Sequence, residues 1–502
     1  MSQKHPKRYP LNHSGSNLLR CSNNSMEWIR KNSPPGKGII ISSHQKITYP
    51  EITGYLIPTL IEAGEIVLAK QYANYLSYAQ CSDGGFEGPN DKEFFFDSGQ
   101  ALRGLMKADE IWGDFKRQIR KVMDFMLSSI EIDGRISSRS ENTPEFINLY
   151  ALSPLLKACE KMREGEHLLL VRKSVDYYKN SIDQLSDGTL THFLAYIIDG
   201  LIELEEIKLV KPLADKVFSR QKRNGSISAF PHSLWVCSTG LAQLAVIGYK
   251  LNKYEQAKRA IDYLCKIQNS SGGFFGSYGF GARYFPNEEI SWANKYFIDA
   301  IHLKIVSFFD ENVAIYPQDV SRSDGRFKEL LAEMGDIAGK KILDAGCGKG
   351  RFASRLKEVH PTCEVHGVDL SQELLKSVPD SIIKKRGSIL CLPYGSQSFD
   401  GVFCIEALEH IIRYEHAISE LCRVLKVGGK VIIIDKNIEK LGRLKIAEFE
   451  QWFDRHDIAV LLGKYCDNVR VAEVSYDQHE PDGLFLSWSG VKKGAPISMS
   501  NA

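Results

Sequence analysis

The sequence predicts an all-α (α/α)6-type toroid followed by an α/β domain, whose sheet is mostly parallel with an antiparallel hairpin at one edge. Three observations carry this prediction. Apolar residues recur at helical spacing from about residue 46 to about residue 308. Similar glycine turns separate these segments, and from about residue 326 short β-branched strands alternate with helical stretches. The length of 502 residues suits two or three domains.

The composition excludes several classes of function. With 64 Lys and Arg against 62 Asp and Glu, the formal net charge is +2, so no strong field favours nucleic acid or an anionic surface. The 11 cysteines are scattered and form no CxxC pair, which favours a reducing compartment. Neither a signal peptide nor a stretch of roughly 20 apolar residues is visible. We therefore expect a cytoplasmic protein without a transmembrane segment and without a nucleic-acid partner.

The first 45 residues have little hydrophobic periodicity. They are rich in Ser, Asn, Lys and Pro, and they include the helix-breaking run Ser33-Pro34-Pro35-Gly36. This composition predicts a flexible N-terminal arm over residues 1–45.

The helical half, residues 46–308, carries an internal repeat. Each repeat has a polar residue that ends a helix, a glycine turn, and an apolar residue that returns to the core. The marker glycines are Gly85, Gly134, Gly188, Gly225 and Gly273. The spacings between them are long enough for two helices and two connections, so the unit is a helical hairpin. Five turns imply about six hairpins, which can close into a ring with a central cleft instead of leaving open end faces.

These repeats resemble those of a known superfamily. The Gln…Gly-Gly-Phe turns are similar to those of α/α toroids such as terpene cyclases, prenyltransferase β-subunits and several polysaccharide lyases and epimerases. The segments YPEITGYLIPTL, FFFDSGQALRGL, THFLAYIIDGLIEL and SWANKYFIDAI resemble a bacterial group of toroid proteins associated with glycan biosynthesis. The DxDD acid motif of triterpene cyclases is absent, which argues against carbocation cyclisation. The resemblance implies a role in polysaccharide biosynthesis.

Several polar residues of the helical half lie in apolar helix context. The ends of the inner helices of a toroid meet at one cleft, so residues from separate repeats can share a site. Carboxyl, imidazole and phenol groups are the types that transfer protons in epimerases and lyases. The candidates are Glu51, Asp97, His192, Tyr196 and Lys295. Catalysis, saccharide recognition and a structural role all remain open, since Asp97 also suits a helix N-cap and a lone buried histidine is commonly structural.

From residue 326 the pattern changes to that of an α/β domain. The expected boundaries are a linker at 309–325, the α/β domain at 326–493 and a tail at 494–502. Four segments separated by helical stretches predict parallel strands, and the last two predict an antiparallel hairpin. The segments are KKILDAG, EVHGVDL, FDGVFCI, KVIIIDK, NVRVAEVS and LFLSWSGVKK.

A glycine-rich turn follows the first of these strands. Glycines at 346, 348 and 350 give GxGxG, whereas the dinucleotide-binding fingerprint requires GxGxxG. No GxxxxGK[ST] sequence is present, so a P-loop is excluded. The next strand ends at Asp369, at about the distance where an acidic side chain accepts hydrogen bonds from ribose hydroxyls.

Together with RGSILCLPYGSQSFDGVFCIEALEHI and ELCRVLKVGGKVIIID, these features resemble class I S-adenosylmethionine-dependent methyltransferases, in particular the group typified by quinone-pathway enzymes. The resemblance implies a Rossmann-like domain that binds S-adenosylmethionine. It implies roles at the methionine end for Asp344, Gly346, Cys347 and Gly348. It also implies ribose and adenine contacts by Asp369, Leu370, Ser388 and Ile389, with Ile405 facing the donor. Ser388 stands where the family commonly has Asp, which favours weaker donor binding.

The motif Glu406-Ala-Leu-Glu409-His410 follows the fourth strand on the side where the methyl acceptor is expected. His410 is the candidate general base, since imidazole accepts protons near neutral pH, and Glu406 is a second catalytic candidate. Alternatively, Glu406, Glu409 and His410 bind a divalent metal ion from one helix face, as the ExxEH pattern of some quinone O-methyltransferases implies. The third possibility is that these residues only begin a helix.

Three functions remain open at this point. The first is O-methylation of a sugar or glycan-biosynthesis intermediate, with the toroid binding or modifying the carbohydrate. The second is methylation of an isoprenoid or quinone-like acceptor. The third is a non-enzymatic scaffold with a decayed methyltransferase fold, which the intact Gly346, Gly348 and Asp369 argue against.

Overall fold

The computed structural model describes residues 15–88, 92, 94–138, 143–442, 449–475 and 482–494. The chain divides into two compact units. The first, called the helical unit below, contains Arg20–Ile61 and Glu65–Lys304. The second, called the sheet unit, contains Ile305–Ala502 with two short pieces of the N-terminal sequence, Met1–Leu19 and Glu62–Gly64.

The N-terminal region is helical, as the periodicity predicts. Two short strands form an antiparallel pair within it, β1 Trp235–Cys237 and β2 Ser277–Gly279. The helices are α1 Gly15–Lys31, α2 Pro50–Glu62, α3 Ile66–Ala79, α4 Phe95–Trp112, α5 Lys116–Ser128, α6 Asn148–Met162, α7 Gly165–Asn180, α8 Thr191–Glu203, α9 Ile207–Phe218, α10 Ser238–Lys250, α11 Tyr254–Ile267 and α12 Ser291–Glu311.

Helix packing in this region follows the repeat. Helices α4, α6, α8 and α10 pack side by side in that order, and each also packs on the helix that follows it in the chain. The even-numbered helices carry mostly buried residues, whereas α5, α7, α9 and α11 bury about one residue in three. The hairpin is therefore the repeating unit, with an inner and an outer helix.

The repeated turns connect one hairpin to the next. The Gln80 side-chain amide donates to Gly84 O in its own turn and to Gln118 O of α5, both at 3.0 Å. Gln268 does the same after α11, at 3.0 Å to Gly272 O and 2.9 Å to Cys21 O of α1. The left-handed residues of these two turns are Gly84 and Gly272, one position before the markers chosen from the sequence. A Cβ on Gly84 would lie 2.2 Å from a carbonyl oxygen of α5, so the turn needs glycine there.

The predicted flexible arm over residues 1–45 is wrong from Gly15 onward, and residues 1–14 lie outside the described residues. Helix α1 buries Trp28 and Ile29 completely or nearly so. The Trp28 indole donates to Glu289 Oε2 at 2.7 Å. The sequence pattern missed α1 because its apolar residues are interspersed with Ser and Asn, and its partners lie about 250 residues away in the chain.

The predicted α/β fold of the C-terminal region is confirmed, with a mostly parallel sheet and an antiparallel edge. Strand order is β5-β4-β3-β6-β7-β9-β8, in which only the pairs β7–β9 and β9–β8 are antiparallel. Helices cover both faces over two apolar clusters. The elements are α13 Gly325–Met334, β3 Lys341–Ala345, α14 Arg351–Val359, β4 Glu364–Asp369, α15 Gln372–Leu375, β5 Ile383–Arg386, β6 Phe399–Ile405, α16 Tyr414–Val424, β7 Leu425–Lys436, α17 Arg455–Gly463, β8 Cys466–Val474 and β9 Phe485–Lys492.

Two features of this region differ from expectation. Strand β5, whose four residues are all exposed, was not predicted because it has no buried face. The segment expected as a linker, 309–325, begins inside α12 and contains a 3-10 helix at Val313–Ile315. Among the described residues, no helix is both long enough and apolar enough to cross a membrane.

Candidate active site

The glycine turn between β3 and α14 has the backbone that its sequence predicts. Gly346, Gly348 and Gly350 all have positive φ, at 82°, 54° and 77°. A Cβ on Gly346 would lie 2.4 Å from the Cβ of Ala407, whereas one on Gly348 would meet nothing within 4 Å. Gly346 is therefore required by packing, and Gly348 leaves open space at the carboxyl end of the sheet, where α/β proteins bind ligands.

Asp369 lies beside this turn because β3 and β4 are parallel neighbours and end at the same edge. Its Oδ2 accepts from the Gly348 amide at 2.8 Å, and its Oδ1 accepts from the Ser371 amide at 2.9 Å. These bonds fix the carboxylate at the mouth of the turn. Burial raises its pKa, and the two amides partly offset that effect.

Asp344 is a buried acid without enough partners. It is 3% exposed, and its Oδ2 accepts no hydrogen bond from any described residue. Burial, reinforced by the charge of Asp369, raises its pKa to about 8. A buried carboxyl oxygen with no donor is costly unless a ligand supplies one. The ammonium group of an amino acid would suit this oxygen, and S-adenosylmethionine carries such a group.

Of the other residues expected around the donor, Cys347 and Ile405 have their side chains in the apolar core, whereas Ile389 reaches the glycine turn. The side chain of Cys347 packs in the apolar cluster beneath the sheet, 2.9 Å from the Cβ position of Gly367, so only its backbone can face a ligand. Ile405 packs in the same cluster. Ile389 reaches the glycine turn, with its Cδ1 3.2 Å from the Cβ position of Gly346. Ser388 Oγ accepts from the Leu390 amide at 3.1 Å, and Leu370 is half-buried.

Glu406 does not stand free as a catalytic acid or base. Its Oε2 is paired with the guanidinium groups of Arg326 and Arg351. Arg326 is 2% exposed and also pairs with Asp324 at 2.7 Å. Glu406 has a φ of 51°, an uncommon conformation for a residue with a side chain. Sequence reasoning missed both arginines, although Arg351 directly follows the glycine turn.

His410 ends a 3-10 helix formed by Leu408–His410. Its Nε2 lies 3.2 Å from Glu409 Oε1, and its Nδ1 is buried with no hydrogen-bond partner among the described residues. The rings of Phe309 and Phe449 contact the imidazole, at centroid distances of 5.1 and 5.8 Å. The imidazole therefore has a carboxylate beside Nε2 and no described partner at Nδ1.

The proposed metal ligands do not form a metal site. In the part of the chain that the structure describes, no group of three or more His, Cys, Asp or Glu side chains is arranged to hold a metal ion. The one-face argument fails because Glu406 lies outside the 3-10 helix and is paired with arginines. Glu409 pairs with His410 and, at 3.0 Å, with Lys436. The donor set does not fit a divalent cation.

In the helical unit, four of the five candidate residues come together. The Tyr196 hydroxyl and the Trp292 indole both donate to Glu51 Oε1 at 3.4 Å. The His192 ring lies 4.7 Å from that of Tyr196. Tyr49, which sequence reasoning missed, donates to Asp97 Oδ2 at 2.8 Å. Residues from α2, α4, α8 and α12 therefore meet in one buried polar cluster, called the carboxyl cluster below.

The carboxyl cluster is unusual in its protonation. Burial raises the pKa of Asp97 to about 7, and burial together with the charge of Asp97 raises that of Glu51. Burial lowers the pKa of His192 to about 4, so this imidazole is neutral, and its Nδ1 is 2.8 Å from Gln243 Oε1. The fifth candidate, Lys295, instead pairs with Asp299 at 2.6 Å.

A second set of charges in the helical unit forms ion pairs. Arg103 binds both carboxylate oxygens of Glu203, at 2.8 and 2.9 Å, and stacks on the Tyr150 ring. Lys250 pairs with Asp199 at 2.6 Å. Burial by itself would raise the pKa of Glu203, but the charges of Arg103 and Lys250 lower it to about 2. These pairs contrast with the carboxyl cluster.

Comparison with known proteins gives a consistent picture for the sheet unit. Residues 343–433 match the family model described as a methyltransferase domain. A demethylmenaquinone methyltransferase of Lactococcus lactis is 29% identical over 187 residues, covering 36% of this chain and 72% of that protein. A demethylmenaquinone methyltransferase of Staphylococcus aureus is 34% identical over 115 residues, covering 22% of this chain and 48% of that protein. This chain thus spans about half the length of the second relative.

Among solved structures, an S-adenosylmethionine-dependent methyltransferase from Aquifex aeolicus is 18% identical, with a TM-score of 0.31. The match covers 36% of this chain and 98% of that chain. The family match lies wholly within the sheet unit.

Proposed function

We propose that this protein, whose sheet unit carries a class I S-adenosylmethionine-dependent methyltransferase domain, transfers a methyl group from S-adenosylmethionine to a hydroxyl group. The observation that carries the proposal is the arrangement around the glycine turn. Three features lie at one edge of the sheet: the open space beside Gly348, the unpartnered Oδ2 of Asp344 and the carboxylate of Asp369, which two backbone amides hold in place.

These residues suit the parts of the donor in order. Asp344 Oδ2 accepts from the ammonium group, Gly348 allows close approach, and the outer lone pairs of Asp369 accept from ribose hydroxyls. Leu370, Ile389 and Ser388 then border the adenine. Because Ser388 Oγ already accepts from an amide, it offers the adenine amine a weaker acceptor than a carboxylate would.

His410 is the base in this proposal. The bound donor supplies a methyl carbon that is already electrophilic, and the carbon–sulfur electron pair stays on sulfur when that bond breaks. The acceptor oxygen forms the new bond, and its proton passes to His410 Nδ1. This nitrogen is buried, and the rings of Phe309 and Phe449 contact the imidazole. A positioned base contributes about 10²–10⁴-fold to such a step.

The acceptor that the helical unit favours is a saccharide. The hairpin contacts support an α/α toroid, since the turn after α11 binds α1 and would close a ring of hairpins. The carboxyl cluster offers several hydrogen-bond acceptors and donors beside the half-buried Tyr284 and Phe285 rings. Carboxyl groups and aromatic rings together suit a ring with many hydroxyls. The toroid would bind the carbohydrate or, through Glu51 and Asp97, transfer a proton on it as epimerases and lyases do.

A quinone-like or isoprenoid acceptor is the second candidate. The aromatic rings around His410 favour a planar, apolar acceptor, and the two relatives are named demethylmenaquinone methyltransferases. The scaffold alternative has no comparable support, because it leaves the unused oxygen of Asp344 unexplained.

Methyl transfer from isotopically labelled S-adenosylmethionine by the full chain tests the proposal. The acceptors are a set of neutral oligosaccharides and nucleotide sugars, compared with prenylated hydroquinones. Labelled saccharide supports the first candidate, and labelled quinol supports the second. Hydroxyl methylation that survives in the His410→Ala variant would overturn the role of His410. Absence of donor binding would leave the scaffold alternative.

A further inference from the structure

The surroundings of His410 contain a buried ionic network that the proposed function does not use. Glu409 is 3% exposed and lies between His410 Nε2, at 3.2 Å, and Lys436 Nζ, at 3.0 Å. Lys436 is also paired with Glu450, whose Oε1 accepts from the Trp452 indole at 2.9 Å. Burying a carboxylate costs folding free energy unless oppositely charged or hydrogen-bonding partners are held close to it. In this network, Lys436 and His410 are those partners of Glu409.

The network is built by the chain that follows two neighbouring strands. Glu409 comes from the 3-10 helix after β6, and Lys436 ends β7, which pairs with β6 in parallel. The Glu409 amide donates to Asp435 Oδ2 at 3.1 Å, which ties the 3-10 helix to β7. The carboxylate cannot move away from the imidazole without breaking these contacts.

The two acids nearest the imidazole differ in protonation. Burial alone would raise the pKa of Glu409, but the charges of His410 and Lys436 lower it to about 2, so this carboxylate is ionised. Burial and the charge of Glu409 raise the pKa of Asp435, which therefore keeps its proton. The ionised carboxylate beside His410 Nε2 is therefore a hydrogen-bond acceptor for an imidazole N–H.

The titratable groups in and around this network come from several elements. Three lie on the segment of His410 itself or at the end of β7, and the other three come from β4, from the segment after α12 and from the segment before α17. They are Glu409, Asp435, Lys436, Glu450, Asp369 and Tyr316. Of these, only Glu409 lies within hydrogen-bonding reach of an imidazole nitrogen.

We propose that Glu409 is a positioning residue: its carboxylate holds the imidazole proton of His410 on Nε2, so that Nδ1 carries the lone pair that accepts the proton of the acceptor hydroxyl. This inference rests on the proposed methyltransferase function. Nδ1 is the nitrogen that is buried with no hydrogen-bond partner among the described residues. The same carboxylate then stabilises the imidazolium that forms as the hydroxyl proton leaves.

The tautomer of His410 is measurable without any acceptor. Nitrogen-15 chemical shifts of histidine-labelled full chain distinguish a ring protonated on Nε2 from one protonated on Nδ1. The chain has 13 histidines, and the resonance missing in His410→Gln identifies the relevant one. We expect wild-type His410 to carry its proton on Nε2 when neutral. A proton on Nδ1 would overturn the proposal.

Two substitutions separate positioning from simple packing. Glu409→Met keeps the volume and removes the acceptor, so we expect a mixture of both tautomers. Glu409→Gln keeps an acceptor oxygen without the charge, so we expect the Nε2 tautomer to persist. Glu415→Met is the matched control, because Glu415 is an exposed glutamate shortly after the same 3-10 helix. A single unchanged tautomer in Glu409→Met would contradict the role of Glu409.

Kinetics with the acceptor found by the labelling experiment give the second readout. Glu409→Met should lower kcat by no more than the roughly 10²–10⁴-fold that the base itself contributes, with little change in KM for the donor. The double variant with His410→Ala should be no slower than His410→Ala alone, because the two residues act as a unit. Additive losses would overturn the proposal. Calorimetry of S-adenosylmethionine binding to wild type and to each variant separates the two proposals. Absence of donor binding by wild type would contradict the proposed function. Normal donor binding with the His410 proton on Nδ1 would contradict only the role of Glu409.

Discussion

Replacing Asp97 by Asn should stabilise the helical unit at alkaline pH and leave its stability unchanged in acid. Asp97 is 5% exposed, and burial raises its pKa from the usual 3.8 to about 7. The folded chain therefore holds this proton more tightly than the unfolded chain does. Between pH 3.8 and 7 the folded state binds more protons, so the free energy of unfolding falls as the pH rises.

The size of the effect follows from that shift. At about 1.4 kcal/mol for each pKa unit, ionising Asp97 in the folded state costs up to about 4 kcal/mol above pH 7. Asparagine cannot ionise, and its carbonyl oxygen can still accept from the Tyr49 hydroxyl. The advantage of Asp97→Asn should be full at pH 8, partial at pH 6 and close to zero at pH 4.

Urea unfolding followed by helical circular dichroism at these three pH values measures the difference. Asp183→Asn is the control, because Asp183 is an exposed carboxylate in the same unit. A second expectation concerns Glu51, whose pKa the charge of Asp97 raises further. Because the Asp97 charge is already absent from Asp97→Asn, Glu51→Gln should stabilise that variant less than it stabilises wild type. A difference between Asp97→Asn and wild type that does not change with pH would refute the reasoning.

Two further predictions concern the glycine turn and the paired charges. Gly348→Ala should cost about 1–2 kcal/mol of stability, from its left-handed backbone alone, and should abolish donor binding because its methyl group occupies the open approach. Gly346→Ala should destabilise the sheet unit more strongly, because its Cβ collides with Ala407; equal unfolding midpoints for the two variants would contradict this assignment. Arg103→Ala should destabilise the helical unit, because Glu203 loses its bidentate partner and keeps only the Ser153 hydroxyl, at 2.7 Å, and the more distant Lys157 ammonium, at 3.8 Å. The ionised Glu203 contributes to the free energy of unfolding above pH 4.5, and this contribution should disappear as the pH falls towards 2. If wild type and Glu203→Gln gave the same acid-unfolding curve, Glu203 would make no such contribution.

The sequence predicts the sheet unit well where the signal is local and apolar. Strand β3, the glycine turn and Asp369 follow directly from their pattern, because the turn geometry allows few residue types. Strand β5 was missed since its side chains are all exposed and carry no hydrophobic signal. Helix α1 was missed because the residues that bury it lie about 250 residues later in the sequence.

The candidate sites were predictable to different extents. The grouping of Glu51, Asp97, His192 and Tyr196 was predictable because each lies near the start of an inner helix of the repeat, while their role in a site stays a prediction. Glu406 was interpreted incorrectly, since its partner Arg326 lies 80 residues away and no local pattern marks the pair. The metal assignment failed because it assumed an α-helix, whereas Leu408–His410 is a 3-10 helix. Ion pairs between distant segments are the features that sequence patterns reveal least.

Calorimetric titration of the full chain with S-adenosylmethionine measures donor binding itself. We expect one saturable site in wild type. In Asp369→Ala we expect a loss of affinity of at least about tenfold, equivalent to about 1.4 kcal/mol, with the far-ultraviolet dichroism spectrum unchanged. Absence of binding by wild type would contradict a donor site at the glycine turn, and so would equal affinity in wild type and Asp369→Ala.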